Sequence, residues 1–163
     1  MTLKTLPFFA NAKLHLKLMF EINYRENRLS YFYSILAFNV IIPLVLSLIS
    51  LLLTAGTYYF SQDHEQGVGL VLIFGAWIIL MIVNFIISVI VLILSITSGV
   101  RRLHDLGKSG MTILWVYLIG IVLSILVVGV FIIMGFHLYL LFARTKEGAH
   151  PFSELDNPFL VER

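Results

Sequence analysis

The residues with the most chemical potential in this chain lie together in RRLHDLGKSG, Arg101 to Gly110. Arginines, a histidine, an aspartate and a lysine crowd there between long apolar blocks. The Gly-Lys-Ser run suggests a phosphate-binding loop, but such a loop needs a glycine five residues before its Gly-Lys pair, after a strand. Arg102 holds that position, and an apolar block precedes it. His104 and Asp105 suggest an acid–base pair. Neighbours on a helix point about 100° apart, which makes a poor relay, and no serine or cysteine nucleophile accompanies them in a recognisable motif. No residue is therefore assigned as catalytic. Arg101, Arg102 and Lys108 have firmer support as contacts for lipid phosphates, because basic clusters beside a membrane span attract anionic headgroups; His104, Asp105, Arg25 and Arg28 join them as candidate contacts for anionic lipid or a partner. The plainer alternative is that these charges only hold the topology.

The elements that position this stretch follow from its spacing. If the preceding helix runs on, Asp105 can pair with Arg101 at i, i+4 or with Arg102 at i, i+3. Gly107 is a natural stop, since glycine accepts the left-handed conformation that ends helices. Ser109 can cap a following helix. The stretch reads as a rigid, ion-paired elbow.

Everything around the elbow is apolar. The chain is 60% hydrophobic and 12% charged, with mean hydropathy +0.98. Soluble domains carry about a quarter charged residues, so lipid is the expected solvent for most of this chain. Leu29–Gln62, Gln66–Val100 and Met111–Ala143 contain no Asp, Glu, Lys or Arg. Each exceeds the ~20 residues a spanning helix needs. We expect an all-α integral membrane protein with three long transmembrane helices at about 31–60, 68–100 and 111–143. A bend or re-entrant hairpin in the last block, which carries Gly120, Gly129 and Gly135, would overturn the count of three, and a full return across the membrane would make four. Residues 1–30 read as a basic, amphipathic N-terminal segment, 31–143 as the membrane domain and 144–163 as a polar tail.

Orientation follows from basic residues near the spans. Lys4, Lys13, Lys17, Arg25 and Arg28 precede the first block, and Arg101, Arg102 and Lys108 follow the second. The intervening loop has only Asp63 and Glu65. The N-terminus and the elbow are therefore expected in the cytoplasm. Arg144 and Lys146 would join them with four spans and oppose them with three, and block length favours three. The N-terminus does not read as a cleavable signal. In Lys13–Asn23, Leu14, Leu16, Leu18, Phe20 and Ile22 alternate with mostly polar residues. That matches a half-buried strand in need of a partner; a helix lying in the headgroups competes. Tyr31, Tyr58, Tyr59, Trp115 and Tyr117 suit membrane–water edges, or ordinary packing between helices.

Within the blocks, Asn39, Asn84 and His137 are the notable polar groups. They could line a substrate path, though hydrogen-bonded contact between helices is the commoner role. With no cysteine, thiolate metal sites and disulfides are excluded. Asp63, His64 and Glu65 are consecutive and cannot easily face one ion. No metal or cofactor is expected, and a net charge of +2 gives no reason to invoke nucleic acid.

RRLHDLGKSG closely resembles the signature R-R-L-H-D-x-G-[RK]-S-G-W-W of a bacterial family of small inner-membrane proteins, "domain of unknown function 805". Met111 and Thr112 replace the tryptophan pair. Arg25, Arg28, Tyr31 and Phe32 fit the family's G-R-x-x-R-x-x-[FY]-W, with Tyr24 in place of its glycine and Phe32 in place of its tryptophan. Gly148, Asn157 and Phe159 correspond to its tail pattern without the final glycine. The resemblance covers about residues 20–160 and implies a multi-pass protein of the bacterial cytoplasmic membrane with no established activity.

Three functions then compete. One is a non-enzymatic protein organising membrane lipids or a protein partner through the basic elbow. Another is an oligomeric transporter or channel subunit using Asn39 and Asn84. The third is a membrane enzyme acting on a lipid headgroup with His104 as base. The first is preferred. It also suggests that the elbow meets the N-terminal motif, with Asp105 or His104 accepting from Arg25 or Arg28.

Overall fold

The structure is a computed structural model that describes residues 3–62 and 66–162, without side-chain surroundings for 60–70 and 162. The chain forms β1 (Leu3–Thr5), α1 (Phe8–Lys17), α2 (Arg28–Ser34), a π-helical stretch (Ile35–Ile41), α3 (Ile42–Gln62), α4 (Gln66–Asp105), α5 (Met111–Leu123), a 3₁₀ turn (Ser124–Leu126), α6 (Val128–Phe142) and β2 (Leu160–Glu162). It divides into two compact units, Met1–Ala37 with Ile93–Arg163, and Phe38–Leu92.

Two helical stretches are long and apolar enough to cross a membrane, Arg28–Tyr59 and Val71–Asp105. Only 11% of the apolar window of each is buried within the molecule, unlike the core helix of a soluble protein. The first contains a π turn for a local reason. Pro43 has no N–H to offer the Asn39 carbonyl, and its ring crowds that carbonyl. The wide turn at Ile35–Ile41 lies just upstream. In the unit Phe38–Leu92, Asn84 Nδ2 donates to Leu80 O at 2.9 Å and to Ser50 Oγ at 3.4 Å, linking α4 to α3.

The third apolar block departs from expectation. It is a hairpin and not one long helix over 111–143. Its arms, α5 and α6, hold 13 and 15 residues, about 20 and 22 Å at 1.5 Å per residue. The turn is driven by close approach. A Cβ on Gly129 would lie 2.5 Å from Ser124 N and strike the Gly120 carbonyl, so the arms touch backbone to backbone. Ser124 Oγ donates to Gly120 O at 2.7 Å and Val127 N to Ser124 O at 3.0 Å, which satisfies the turn internally. Val127 takes φ 64°, a costly value for a β-branched residue. The block begins at the elbow, and Arg102 Nη2 reaches Ala143 O at its other end at 2.6 Å. Both ends therefore lie beside Arg102.

The other unit packs around the last three turns of α4. Tyr31, Val100, Leu103, Leu106, Ile113, Tyr117 and Leu140 form its apolar core. Ile113 rests on Gly99, where a Cβ would collide with it. The tail is folded onto this unit: β2 pairs antiparallel with β1, Leu3 opposite Glu162 and Thr5 opposite Leu160. A strand with a partner does exist near the N-terminus, but at Leu3–Thr5. Residues 13–23, read as either a half-buried strand or a helix in the headgroups, form the end of α1 and a turn, so the strand is not realised there. The cause is the face α1 buries. Asn11 and His15, one turn apart, point inward, while Phe9 and Leu16 are 85% and 52% exposed. The helix is amphipathic in the inverted sense.

Candidate functional site

The charged residues of the elbow converge on a buried node in the unit Met1–Ala37 with Ile93–Arg163. Arg101, Arg102 and Glu26 are 0% exposed. Glu26 lies in the turn between α1 and α2, and its backbone N–H donates to Arg101 O at 3.2 Å. Its carboxylate accepts from Ser98 Oγ at 2.9 Å and Ser30 Oγ at 3.1 Å, and faces His15 Nε2 at 2.8 Å. Arg101 Nε is 3.4 Å away as an ion pair. Burial alone would push this carboxyl up; His15, then Arg101 and Ser98, outweigh that and hold it below the ordinary carboxylate range. His15 Nδ1 donates to Asn11 O at 2.9 Å, because a carbonyl can only accept.

The two arginines do related work. Arg101 Nη1 donates to Leu18 O, the last residue of the α1 terminus, at 3.3 Å, and its guanidinium lies 5.1 Å from the Phe159 ring centroid. Arg102 Nε donates to Leu140 O at 3.0 Å and Nη2 to Ala143 O, both at the end of α6. Each arginine thus satisfies carbonyls that a helix C-terminus leaves unpaired, at the negative end of its dipole. Arg102 Nη1 also pairs with Asp105 Oδ2 and reaches Thr145 Oγ1 at 3.2 Å. The Thr145 hydroxyl donates to Asp105 at 2.6 Å. Of the two spacings the sequence allows for Asp105, i, i+3 is the one realised. Two buried cations face two buried carboxylates, so the node carries little net charge apart from any on His15.

The elbow's end also follows its local chemistry. Gly107 has φ 69°. Gly107 N donates to His104 O at 2.9 Å and Lys108 N to Leu103 O at 2.8 Å, the paired bonds of a Schellman motif. Ser109 Oγ accepts from Met111 N at 3.3 Å.

Several expectations change at this site. Arg101 and Arg102 face inward, so they offer no surface to a headgroup. Carbonyls and a carboxylate satisfy Arg102, while Arg101 relies on the Glu26 charge and Leu18 O and keeps Nε and Nη2 without a hydrogen-bond partner among the described residues. The elbow and the N-terminal motif do meet, but not through Arg25 or Arg28 donating to Asp105 or His104. Glu26 supplies the acid, and His104 Nδ1 donates to Tyr24 O at 3.3 Å. Arg25 Nε donates to Leu155 O at 2.9 Å. His104 is 7% exposed and stacked on Phe152 at 4.3 Å, which leaves its ring closely packed. Lys108 is exposed and donates to Tyr139 Oη at 2.7 Å, and Arg28 is exposed over Phe142.

His137 is half-buried between two rings. Tyr31 Oη lies 2.6 Å from its Nδ1 and Tyr117 Oη 2.8 Å from its Nε2. A neutral imidazole accepts at one nitrogen and donates from the other, so one tyrosine donates and one accepts. Tyr31 and Tyr117 are packing residues in this bridge. Asn39 is exposed in the π turn. Asp63, His64 and Glu65 lie outside the described residues, among which no cluster of three potential metal ligands occurs.

Sequence reasoning overlooked Glu26, His15 and Ser98. The only available signal was an acid inside the Arg25–Arg28 motif.

A family model described as "Protein of unknown function (DUF805)" matches residues 19–154. The chain belongs to this family. The DUF805 region contains Glu26, the elbow and Thr145, while Asn11, His15 and Phe159 lie outside it. The match assigns no activity. No curated protein and no solved structure matches the chain.

Proposed function

We propose that this chain is a non-enzymatic protein of the bacterial cytoplasmic membrane that presents a folded, basic platform on the cytoplasmic side for anionic lipid or a protein partner. The neutralised node carries the reading. With Arg101, Arg102, Glu26 and Asp105 paired inside, the exposed charges among the described residues of this unit are Lys4, Lys13, Lys17, Arg28, Lys108, Arg144 and Lys146 against Glu21, Glu147, Glu154 and Asp156. The surface is net positive, as expected beside an anionic leaflet. A close-packed His104 argues against its use as a base.

In this reading the chain crosses twice, at Arg28–Tyr59 and Val71–Asp105, and Met111–Phe142 dips into the bilayer and returns. Arms of about 20 Å are shorter than the ~30 Å hydrocarbon layer. The turn has no charge, and Ile125, Leu126 and Val127 are 87%, 68% and 63% exposed, which suits lipid and not water. A backbone turn at that depth needs internal partners, and it has them.

A transporter-like role has one observation in its favour: a groove of about 660 Å³ whose lining includes Ser47, Ser50, Thr54 and Asn84.

Cysteine labelling tests the topology. Lys13→Cys and Ser153→Cys should react from the cytoplasmic face only, and Ile125→Cys from neither. Labelling of Ser153→Cys from the outer face overturns it. Pull-down from native membranes tests the platform. Recovery of neither a defined partner nor enriched anionic lipid overturns it.

A further inference from the structure

We propose that the groove between the start of α2 and the end of α6 binds one anionic glycerophospholipid, with Arg28 taking its phosphate and the ring and aliphatic walls taking the upper acyl chain. The inference rests on the membrane reading above and narrows the candidate lipid contacts to Arg28, which is exposed where Arg101 and Arg102 are buried.

The groove has a volume of about 680 Å³, and its lining includes Arg28, Leu29, Phe32, Leu141, Phe142 and Thr145. That is within the usual range for small-molecule sites. Its wall is amphipathic along its length. Leu29, Phe32 and Phe142 are 44%, 41% and 62% exposed. Arg28 is exposed with its guanidinium 5.7 Å from the Phe142 ring centroid. Among the described residues no carboxylate lies within ion-pair distance of it.

The charge around the groove favours an anion. Thr145, which lines the groove with Arg28, is itself bonded to Arg102. The acid that could compensate, Asp105, is already held by Arg102 and Thr145. Arg144 and Lys146, on either side of Thr145, are exposed and basic; Glu147 is the nearest acid in sequence. A small inorganic anion would satisfy Arg28 and leave the apolar wall bare. A zwitterionic phospholipid would cover the wall and offer a phosphate, but its own ammonium offsets that charge and would sit among Arg28, Arg144 and Lys146. An anionic phospholipid does both without that ammonium, and arginine suits phosphate because its planar fork can donate twice.

The test is native mass spectrometry of the full chain in detergent, titrated with phosphatidylglycerol and, separately, phosphatidylcholine of the same acyl chains. Phosphatidylglycerol should bind preferentially. Removing one cation near a membrane surface should weaken it about fivefold in Arg28→Gln and more than tenfold in Arg28→Glu. Lys108→Gln, outside the lining, should weaken it less than Arg28→Gln does, and phosphatidylcholine binding should fall less than phosphatidylglycerol binding in every variant. In a Phe32→Trp variant, brominated phosphatidylglycerol should add quenching over wild type, beyond that of brominated phosphatidylcholine.

Unchanged affinity in Arg28→Glu overturns the proposal, as does an equal loss in Lys108→Gln. Displacement of the lipid by millimolar inorganic phosphate assigns the site to a free anion and also overturns it. If Arg28→Glu does not accumulate, absence of preferential quenching at Phe32→Trp decides against it. The membrane reading fails separately, if alkaline carbonate strips the protein from membranes.

Discussion

Glu26→Gln removes one charge from the node and almost no volume. At the Arg101–Glu26 separation of 3.4 Å, and an effective dielectric constant of about 20, the gross attraction is about 5 kcal/mol. Desolvation of both groups offsets much of that. The cost of the substitution is therefore governed by what it leaves behind, a buried Arg101 with only Leu18 O and the Phe159 ring as partners. Breaking a buried pair in this way costs about 3–5 kcal/mol. Gln still accepts from Ser98, which places the variant near the lower end. For a chain of this size the fall in Tm is about 6–20 °C, measurable in detergent by intrinsic fluorescence. The pH dependence supplies a second reading. Glu26 is held below 4.5 when folded. A depressed carboxyl contributes stability that is present above its unfolded value and is lost as pH falls through the folded one. Wild type should therefore lose stability progressively below about pH 4.5, and the Gln variant should lack that component. Adding Arg101→Met to Glu26→Gln should recover part of the loss, since the stranded charge goes too. A loss below about 1 kcal/mol, or the same acid slope in both proteins, would refute the reasoning.

Arg102→Lys should be costly despite its conserved charge. One ammonium cannot reach Leu140 O, Ala143 O, Thr145 and Asp105 together, and losing even one such charge-assisted bond costs about 1.5–3 kcal/mol; unchanged thermal unfolding would contradict this. Gly129→Ala should destabilise by about 3 kcal/mol, because its Cβ meets backbone that cannot yield. Gly135→Ala has open space around it, so it should gain up to about 1 kcal/mol in helix propensity; denaturation of the pair should show opposite signs. His137→Phe removes both tyrosine contacts at about 0.6–1.7 kcal/mol each for a membrane setting. Tyr31→Phe should then cost less in the His137→Phe background than alone, which a double-mutant cycle in detergent reads directly.

The inverted helix α1 shows how a pattern can mislead. Alternating leucines over 13–23 fit a strand because apolar residues are taken to face the interior. Here the interior awaiting that segment is ionic. Asn11 and His15 satisfy it, and Phe9, Leu16 and Phe20 turn outward. Nothing within 13–23 records that Glu26 and Arg101 lie behind it. The hairpin at Ser124–Val127 is similar. Its residues carry no proline, charge or glycine pair, and Val127 resists the conformation it takes. Gly120 meeting Gly129 decides the turn.

Local chemistry was written in the sequence. Charge-free blocks long enough to cross lipid, the Arg102–Asp105 pair at one turn's spacing and the stop at Gly107 depend on neighbours within four residues or on hydropathy summed along the chain. Tertiary structure alone decided which charges are buried, since Arg101 meets Glu26 from more than seventy positions away and Glu26 in turn meets His15. It also brought the tail back beside the elbow. Electrostatic pairing and helix-end capping act through space, and their partners have no fixed separation along the chain.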